Sequence, residues 1–374
     1  MIDRKRKETK HMKLIWDDQN SILQLSGSLF HYYGLERGHG TDRDVDAWLQ
    51  KRQPRCVISL LIDAMGISIL EKHLPKDSFL RSHLVKIIST VFPPTTAAAT
   101  TSYMSGYSPA ETGWLGWNQY FREKDDELVL FFSKGMYSDV SYEPDFVSSV
   151  LPVKPIDECL QEKGINADSV WPGWGRHNGC ETFDQLLTKT LELSHDNAFL
   201  YVYWDVLDTL MHEHGVEEVI IRDTLWEYDR QIEAFAGRLS SDTCLLITAD
   251  HSQINTRIYD LGKDEELCAC LKGAPSIEQR TVSFRIKDGM QETFVRLFEE
   301  RFHNDFVLLR PKEALSLFGP GIPHARTEEF IGDFLATAVS DLQLDYHRTR
   351  IMKGNHAGFV REERMIPVIL YQKQ

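Results

Sequence analysis

Six cysteines are scattered through 374 residues, and none forms a C-x-x-C pair. Cys268 and Cys270 stand two apart, a weak spacing for zinc. Cys56 and Cys244 fall in or beside apolar runs, where cysteine acts as a small core residue. Free thiols in a reducing compartment are therefore expected, not a disulfide framework. No run reaches the roughly 18 apolar residues that span a bilayer, so no transmembrane helix and no membrane partner are expected. The basic start MIDRKRKETKHMKLIWDD has no apolar segment behind it, and a cytoplasmic location is expected. Positive charge is also in deficit: 42 Lys and Arg face 56 Asp and Glu, for a net charge of −14. That argues against a general nucleic-acid-binding surface, though not against a small anionic substrate. Internal repeats and low-complexity tracts are absent.

What is present is an ordinary globular composition, 42% hydrophobic and 11% aromatic, ample for one large domain or a domain with an insert. The runs VISLLID, FLYVYWD, CLLITAD and MIPVILY are continuously apolar and too short for buried helices, so they read as buried strands. Helix-period stretches such as ETFDQLLTKTLELS and EEVIIRDTLWEYDRQIEAFAGRL lie between them. Strands alternating with helices predict an α/β fold, a mostly parallel sheet with helices on both faces. Residues 1–52 read as an arm of one or two helices packed on the core. Residues 53–262 and 326–374 read as that core. Residues 263–325 follow a β-α-β-α pattern and read as a small inserted α+β cap subdomain. Residues 119–160 are less regular and read as a second, smaller excursion.

Four segments end in metal-type ligands. VISLLID ends in Asp63, YVYWDVLDTLMHEHG carries Asp208 and His212, CLLITADHS carries Asp250 and His251, and KGNHAG carries His356. Ligands of open α/β sheets bind outside the carboxyl ends of the strands, and all four segments reach one such edge. Asp208 and His212 are i, i+4 and share a face of a helix. Three carboxylates and three imidazoles suffice for two divalent ions. The mixed oxygen and nitrogen donors suit zinc, with manganese or iron as alternatives. The turn VFPPTTAAATTSYMSG places Thr95 and Thr96 at the N-cap or first turn of a helix, where backbone N–H groups favour an anion. It offers an alcohol nucleophile. Two dications facing three aspartates leave a net charge of about +1, which draws a phosphate ester into an acidic protein. Taken singly, each of these residues reads as a cap, a turn or a surface group; the ordered set reverses that. His324 and Arg326 in GIPHAR read either as anion contacts or as a turn.

The order Asp63, Thr in an F-P-x-x-T turn, D-x-x-x-H, D-H and a late His resembles the alkaline phosphatase superfamily. It most resembles the type I phosphodiesterase and nucleotide pyrophosphatase branch, over residues 56–260 and 320–371. The resemblance implies an alkaline-phosphatase-like three-layer sandwich. It implies Asp208, His212 and His356 around one metal, and Asp63, Asp250, His251 and the nucleophile around the other. Setting Gly106 on the family's Thr-Gly puts the nucleophile at Thr96, not Thr95. The family Asn that binds a phosphate oxygen falls at Trp117, with Asn118 beside it, so Trp117, Asn118 and Thr95 are the expected substrate contacts. Thr112 replaces a family His and Met211 a family Gly. The C-x-P-x-R signature of sulfatases is missing. The expected activity is two-metal hydrolysis of phosphodiester or nucleotide pyrophosphate bonds through a phospho-threonine, on a small phosphate ester such as a nucleotide. The alternatives are a phosphomonoesterase, phosphonate hydrolase or phosphomutase on the same scaffold, or an inactive metal-binding recognition protein.

Overall fold

The computed structural model describes residues 14–16, 19–138, 140–175, 178–347 and 351–374. Two seven-stranded sheets organise the described residues. The strand Cys56–Ile62 is the centre of the first. Every one of its residues is buried, because it pairs in parallel with Phe199–Trp204 on one side and Thr243–Thr248 on the other. Ala167–Pro172 and Gly179–Cys180 extend the sheet in parallel beyond Phe199–Trp204. Met365–Gln372 runs antiparallel between Thr243–Thr248 and Leu84–Ser89. Six strands thus run one way and one runs against them, as a mostly parallel sheet requires.

Side-chain alternation on a strand shows how the faces are covered. Tyr201 and Tyr203 point to one face, where Tyr201 meets Tyr103 of the helix Thr96–Ser105. Trp204 points to the other, donating to Tyr228 of the helix Val219–Arg238 and packing on Phe183 of the helix Phe183–Leu193. Helices therefore cover both faces, giving the expected three layers. The first helix, Ile22–Tyr32, opens with a Ser21/Gln24 capping box and packs on Thr96–Ser105. Its Ile22, Leu25 and Phe30 are fully buried in the main core. The expected arm supplies core residues here, while its residues 1–13, 17 and 18 lie outside the described residues.

The second sheet is antiparallel throughout. Its strand order joins Phe306–Leu309, Phe334–Ala338, Thr281–Phe284, Ser276–Ile277, Asn118–Phe121, Asp126–Val129 and Lys134–Gly135. The β-α-β-α pattern of residues 281–315 is present. The boundaries 263–325 need correction, however. The three strands between residues 118 and 135 and the strand Phe334–Ala338 belong to the same sheet. The two excursions are one unit because Ile277 pairs with Asn118 across more than 150 residues of chain. That pairing leaves no local trace in a hydrophobic pattern. The helix Gln291–Phe302 lies on this sheet through Phe294, Phe298 and Phe302, which contact Phe284, Phe334 and Phe306.

Candidate active site

Asp63 follows the central strand directly, and Asp250 and His251 follow Thr243–Thr248 beside it. Asp63 is 2% exposed, and Asp250 and His251 are fully buried. Nε2 of His251 lies 3.2 Å from Asp63 Oδ1 and 3.5 Å from Asp250 Oδ2. Asp250 Oδ1 accepts from the backbone N–H of Ala64 (3.1 Å) and of His251 (3.0 Å). Tyr203 donates its hydroxyl to Asp63 Oδ2. Burial lifts the Asp63 carboxyl well above the usual range, and the charges of Asp250 and Asp208 lift it further.

The second group stands on the helix Val206–His214 and the loop after Gly354–Asn355. Asp208 Oδ2 is 3.2 Å from His212 Nε2, and Asp208 Oδ1 is 4.0 Å from His356 Nε2. Gln253 clamps Asp208 by donating to its Oδ1 at 2.5 Å and to its backbone oxygen at 3.1 Å. Gly354 makes this packing possible: a Cβ there would lie 2.5 Å from the Met211 carbonyl. Two ligand turns pass through left-handed residues, Ala64 at φ +59° and Ala357 at φ +77°. Strain of this kind, about 1–3 kcal/mol per residue, is tolerated where the surroundings over-determine it.

The donor set fits two divalent ions. Asp63, Asp250 and His251 offer ligand atoms within 4.8 Å of one another, and so do Asp208, His212 and His356. Each imidazole has its Nδ1 against a backbone carbonyl: Gly354 at 2.9 Å for His212, Ser252 at 3.2 Å for His251 and Pro94 at 3.1 Å for His356. A carbonyl only accepts, so each Nδ1 carries a proton and Nε2 is the nitrogen left to face the site. Burial, helped by His251, holds the His356 imidazole well below its usual pKa and therefore neutral. Asp63 Oδ1 and Asp250 Oδ2 are buried without a hydrogen-bond donor among the described residues. Such orphaned oxygens are costly unless a cation compensates them.

Thr96 opens its helix, with Thr95 as the extended N-cap and Gly106 closing it at φ +72°. Thr96 Oγ1 is 3.3 Å from Asp63 Oδ2 and 3.1 Å from His251 Nε2. Thr95 does not cap the helix with its side chain; its hydroxyl donates instead to Glu278 Oε1 at 2.5 Å.

A cleft of about 580 Å³ opens over these groups, lined by Thr96, Asp208, His212 and His356 with Trp117, Tyr137, Glu278 and Tyr346. A groove of similar size, about 600 Å³, lies on the outer face of Gln291–Phe302, away from every carboxylate of the two triads. Of the expected substrate contacts, Trp117 lines the cleft. Asn118, 1% exposed, alternates away from it into a small neighbouring gap. Arg326 is held by Glu329 and Glu123, each at 3.0 Å, in a structural turn that does not line the cleft. Tyr203, Gln253 and Glu278 were not singled out from sequence. Tyr203 sits in FLYVYWD and Gln253 two places after His251, so adjacency was the available signal. Glu278 has none, because it arrives from the second sheet.

Among curated proteins, none matches the sequence. Solved structures do. Murine ectonucleotide pyrophosphatase/phosphodiesterase 5 superposes with a TM-score of 0.64 at 15% identity, covering 84% of this chain and 87% of that one. The same murine protein, as an inactive threonine-to-alanine form in complex with AMP, gives 0.65 at 15% identity over the same shares. Phosphonoacetate hydrolase from Sinorhizobium meliloti 1021, in complex with phosphonoacetate, gives 0.63 at 14% identity over 85% and 90%. These likenesses define the class by fold: an α/β protein with a mostly parallel central sheet between helices. Residues 57–268 match the family model for type I phosphodiesterase / nucleotide pyrophosphatase. The match spans more than half of the chain and runs from the Asp63 strand past His251, so the protein belongs to that family and is a phosphoester hydrolase.

Proposed function

We propose that the chain is a two-metal phosphodiesterase in which Thr96 is the nucleophile. Asp63, Asp250 and His251 would hold one divalent ion and Asp208, His212 and His356 the other, with zinc the first choice for this donor set and manganese or iron as alternatives. The ions would supply Lewis-acid charge at the attacking and leaving oxygens. The chain's own residues do the rest. Thr96 Oγ attacks phosphorus and its proton goes to solvent; the P–O bond to the leaving group breaks, and the departing oxygen takes a proton from solvent. Water then cleaves the phospho-threonine and restores the hydroxyl. The N–H groups at the start of the Thr96 helix face the phosphoryl oxygens. Tyr203 keeps Asp63 oriented, and Gln253 does the same for Asp208.

The observation that carries this reading is the position of Thr96 Oγ1, within hydrogen-bond reach of two members of one triad at a helix N-terminus. The inactive threonine-to-alanine form of the murine relative supports a threonine nucleophile. The aromatic wall of Trp117, Tyr137 and Tyr346 supports a planar group on the substrate, such as a nucleobase, and that protein's complex with AMP agrees with it. Metal analysis of the purified chain is expected to find two equivalents, with chelator-sensitive hydrolysis of bis(4-nitrophenyl) phosphate. One equivalent or none in carefully loaded protein, with hydrolysis indifferent to chelator, would remove the reading.

A further inference from the structure

We propose that Glu278 is the charge filter of the cleft, a specificity-determining residue that admits monoanionic phosphodiesters and turns away dianionic phosphate monoesters. The inference deepens the phosphodiesterase reading and rests on it. Glu278 is 8% exposed and lines the same cleft as Thr96, Asp208, His212 and His356. Its Oε1 accepts from Thr95 Oγ1 at 2.5 Å and from the Trp117 N–H at 2.9 Å. Trp117 N–H can only donate, so this oxygen acts as the acceptor of both bonds. Two donors next to the nucleophile are thereby spent on a protein carboxylate instead of a phosphoryl oxygen. Trp117 stands where the family resemblance places an oxygen-binding Asn, so the side-chain amide donor is missing there and the backbone N–H of Trp117 is taken by Glu278.

The backbone holds this carboxylate in place at a cost. Ile277, immediately before it, sits at φ +78°, a conformation that a β-branched residue rarely takes. The Ile277 carbonyl also accepts from Trp117 N–H at 3.1 Å, locking the turn against the strand. Strain of this kind persists where the surrounding structure demands a particular side-chain direction. Glu278 is the second carboxylate lining the cleft beside Asp208, and with the three aspartates of the triads it brings the site's carboxylates to four, which offsets two dications. A second negative charge on the phosphoryl group then meets a like charge in a partly desolvated site, where repulsion is strong. A diester presents an alkyl or aryl oxygen at that point and avoids it.

The test compares kcat/KM for bis(4-nitrophenyl) phosphate and 4-nitrophenyl phosphate in the zinc-loaded full chain and in Glu278→Gln. The substitution is isosteric and keeps an oxygen acceptor for Thr95. The monoester value is expected to rise about tenfold relative to the diester, with inhibition by inorganic phosphate tightening by a similar factor. Glu278→Asp, which keeps the charge, is expected to keep the discrimination. An unchanged ratio with unchanged phosphate inhibition overturns the filter, as does equal loss of discrimination in the Gln and Asp variants. If the parent hydrolyses neither ester, the phosphodiesterase reading fails separately. Calorimetry of inorganic phosphate on zinc-loaded Thr96→Ala, with and without Glu278→Gln, then still reads the filter: tighter binding in the double variant supports it, and equal binding overturns it.

Discussion

The central sheet and the antiparallel sheet each have seven strands, yet they contribute to the site in opposite ways. The central sheet presents its chemistry at strand ends. Three neighbouring parallel strands finish at one edge, and the residues just beyond them are Asp63, Asp208, Asp250 and His251. The antiparallel sheet places Glu278 and Trp117 over that edge through the pairing of Ile277 with Asn118 and the contacts around it. One sheet therefore builds the reactive centre from local geometry, and the other builds its roof from long-range contacts. Reactivity and selectivity are separable wherever their residues sit on different sheets.

The sharpest way to test this division is to remove the proposed nucleophile. Thr96→Ala is expected to lower kcat by about 10³-fold or more while leaving metal content and melting temperature close to the parent, because in the proposed reaction the hydroxyl attacks and does not hold the fold. Thr95→Ala is expected to keep most of the turnover. A dead Thr95 variant beside an active Thr96 variant would move the nucleophile by one residue.

The joint between the sheets is the next largest effect. Arg280 is fully buried and pairs with the equally buried Glu363 through Nε at 2.6 Å and Nη2 at 2.9 Å. Glu363 in turn accepts from Gly358 N–H, two residues after His356, and its carbonyl accepts from Ser252 N–H. Arg280→Met strands a buried carboxylate, and denaturant unfolding is expected to show a loss of about 3–5 kcal/mol. A loss below about 1 kcal/mol would show that the pair does not tie the sheets together.

A subtler break lies within the reactive edge. Gln253→Ala removes the amide that holds Asp208 and is expected to weaken one metal equivalent by about 10–100-fold in a metal titration, with the other unaffected. Equal weakening of both would mean that the two triads act as one unit. The smallest effect belongs to the exposed pair Arg257–Asp341, 2.8 Å apart at the start of the parallel strand pair Arg257–Asp260 and Leu342–Asp345. Arg257→Ala is expected to leave the melting midpoint within about 2 °C of the parent, since solvent screens such pairs.

How much of this was legible varies with sequence distance. Asp63, Asp250 and His251 announce themselves because each follows an apolar run that has to be a buried strand. Asp208 and His212 do so because i, i+4 on a helix means one face. Thr96 follows from a proline-bounded turn feeding an alanine-rich helix and from the family register. His356 was readable only as the last member of an ordered set; its place depends on the pairing of Gly354–Asn355 with Ile254–Asn255. The cap boundary was misplaced because residues 118–135 pair with strands far along the chain.

The sequence by itself therefore determined the α/β class, four strands of the central sheet and the carboxylates and imidazoles other than His356 that gather at its edge. All of these follow from periodicity and spacing within a few residues, where backbone geometry alone dictates which side chains share an edge or a face. Only the tertiary structure decided which excursions form one antiparallel sheet, which of Trp117 and Asn118 faces the cleft, and that Glu278 stands beside Thr95. Those outcomes depend on strand register between distant segments. A shift of one residue would turn every side chain to the opposite face, and no local pattern records which register wins.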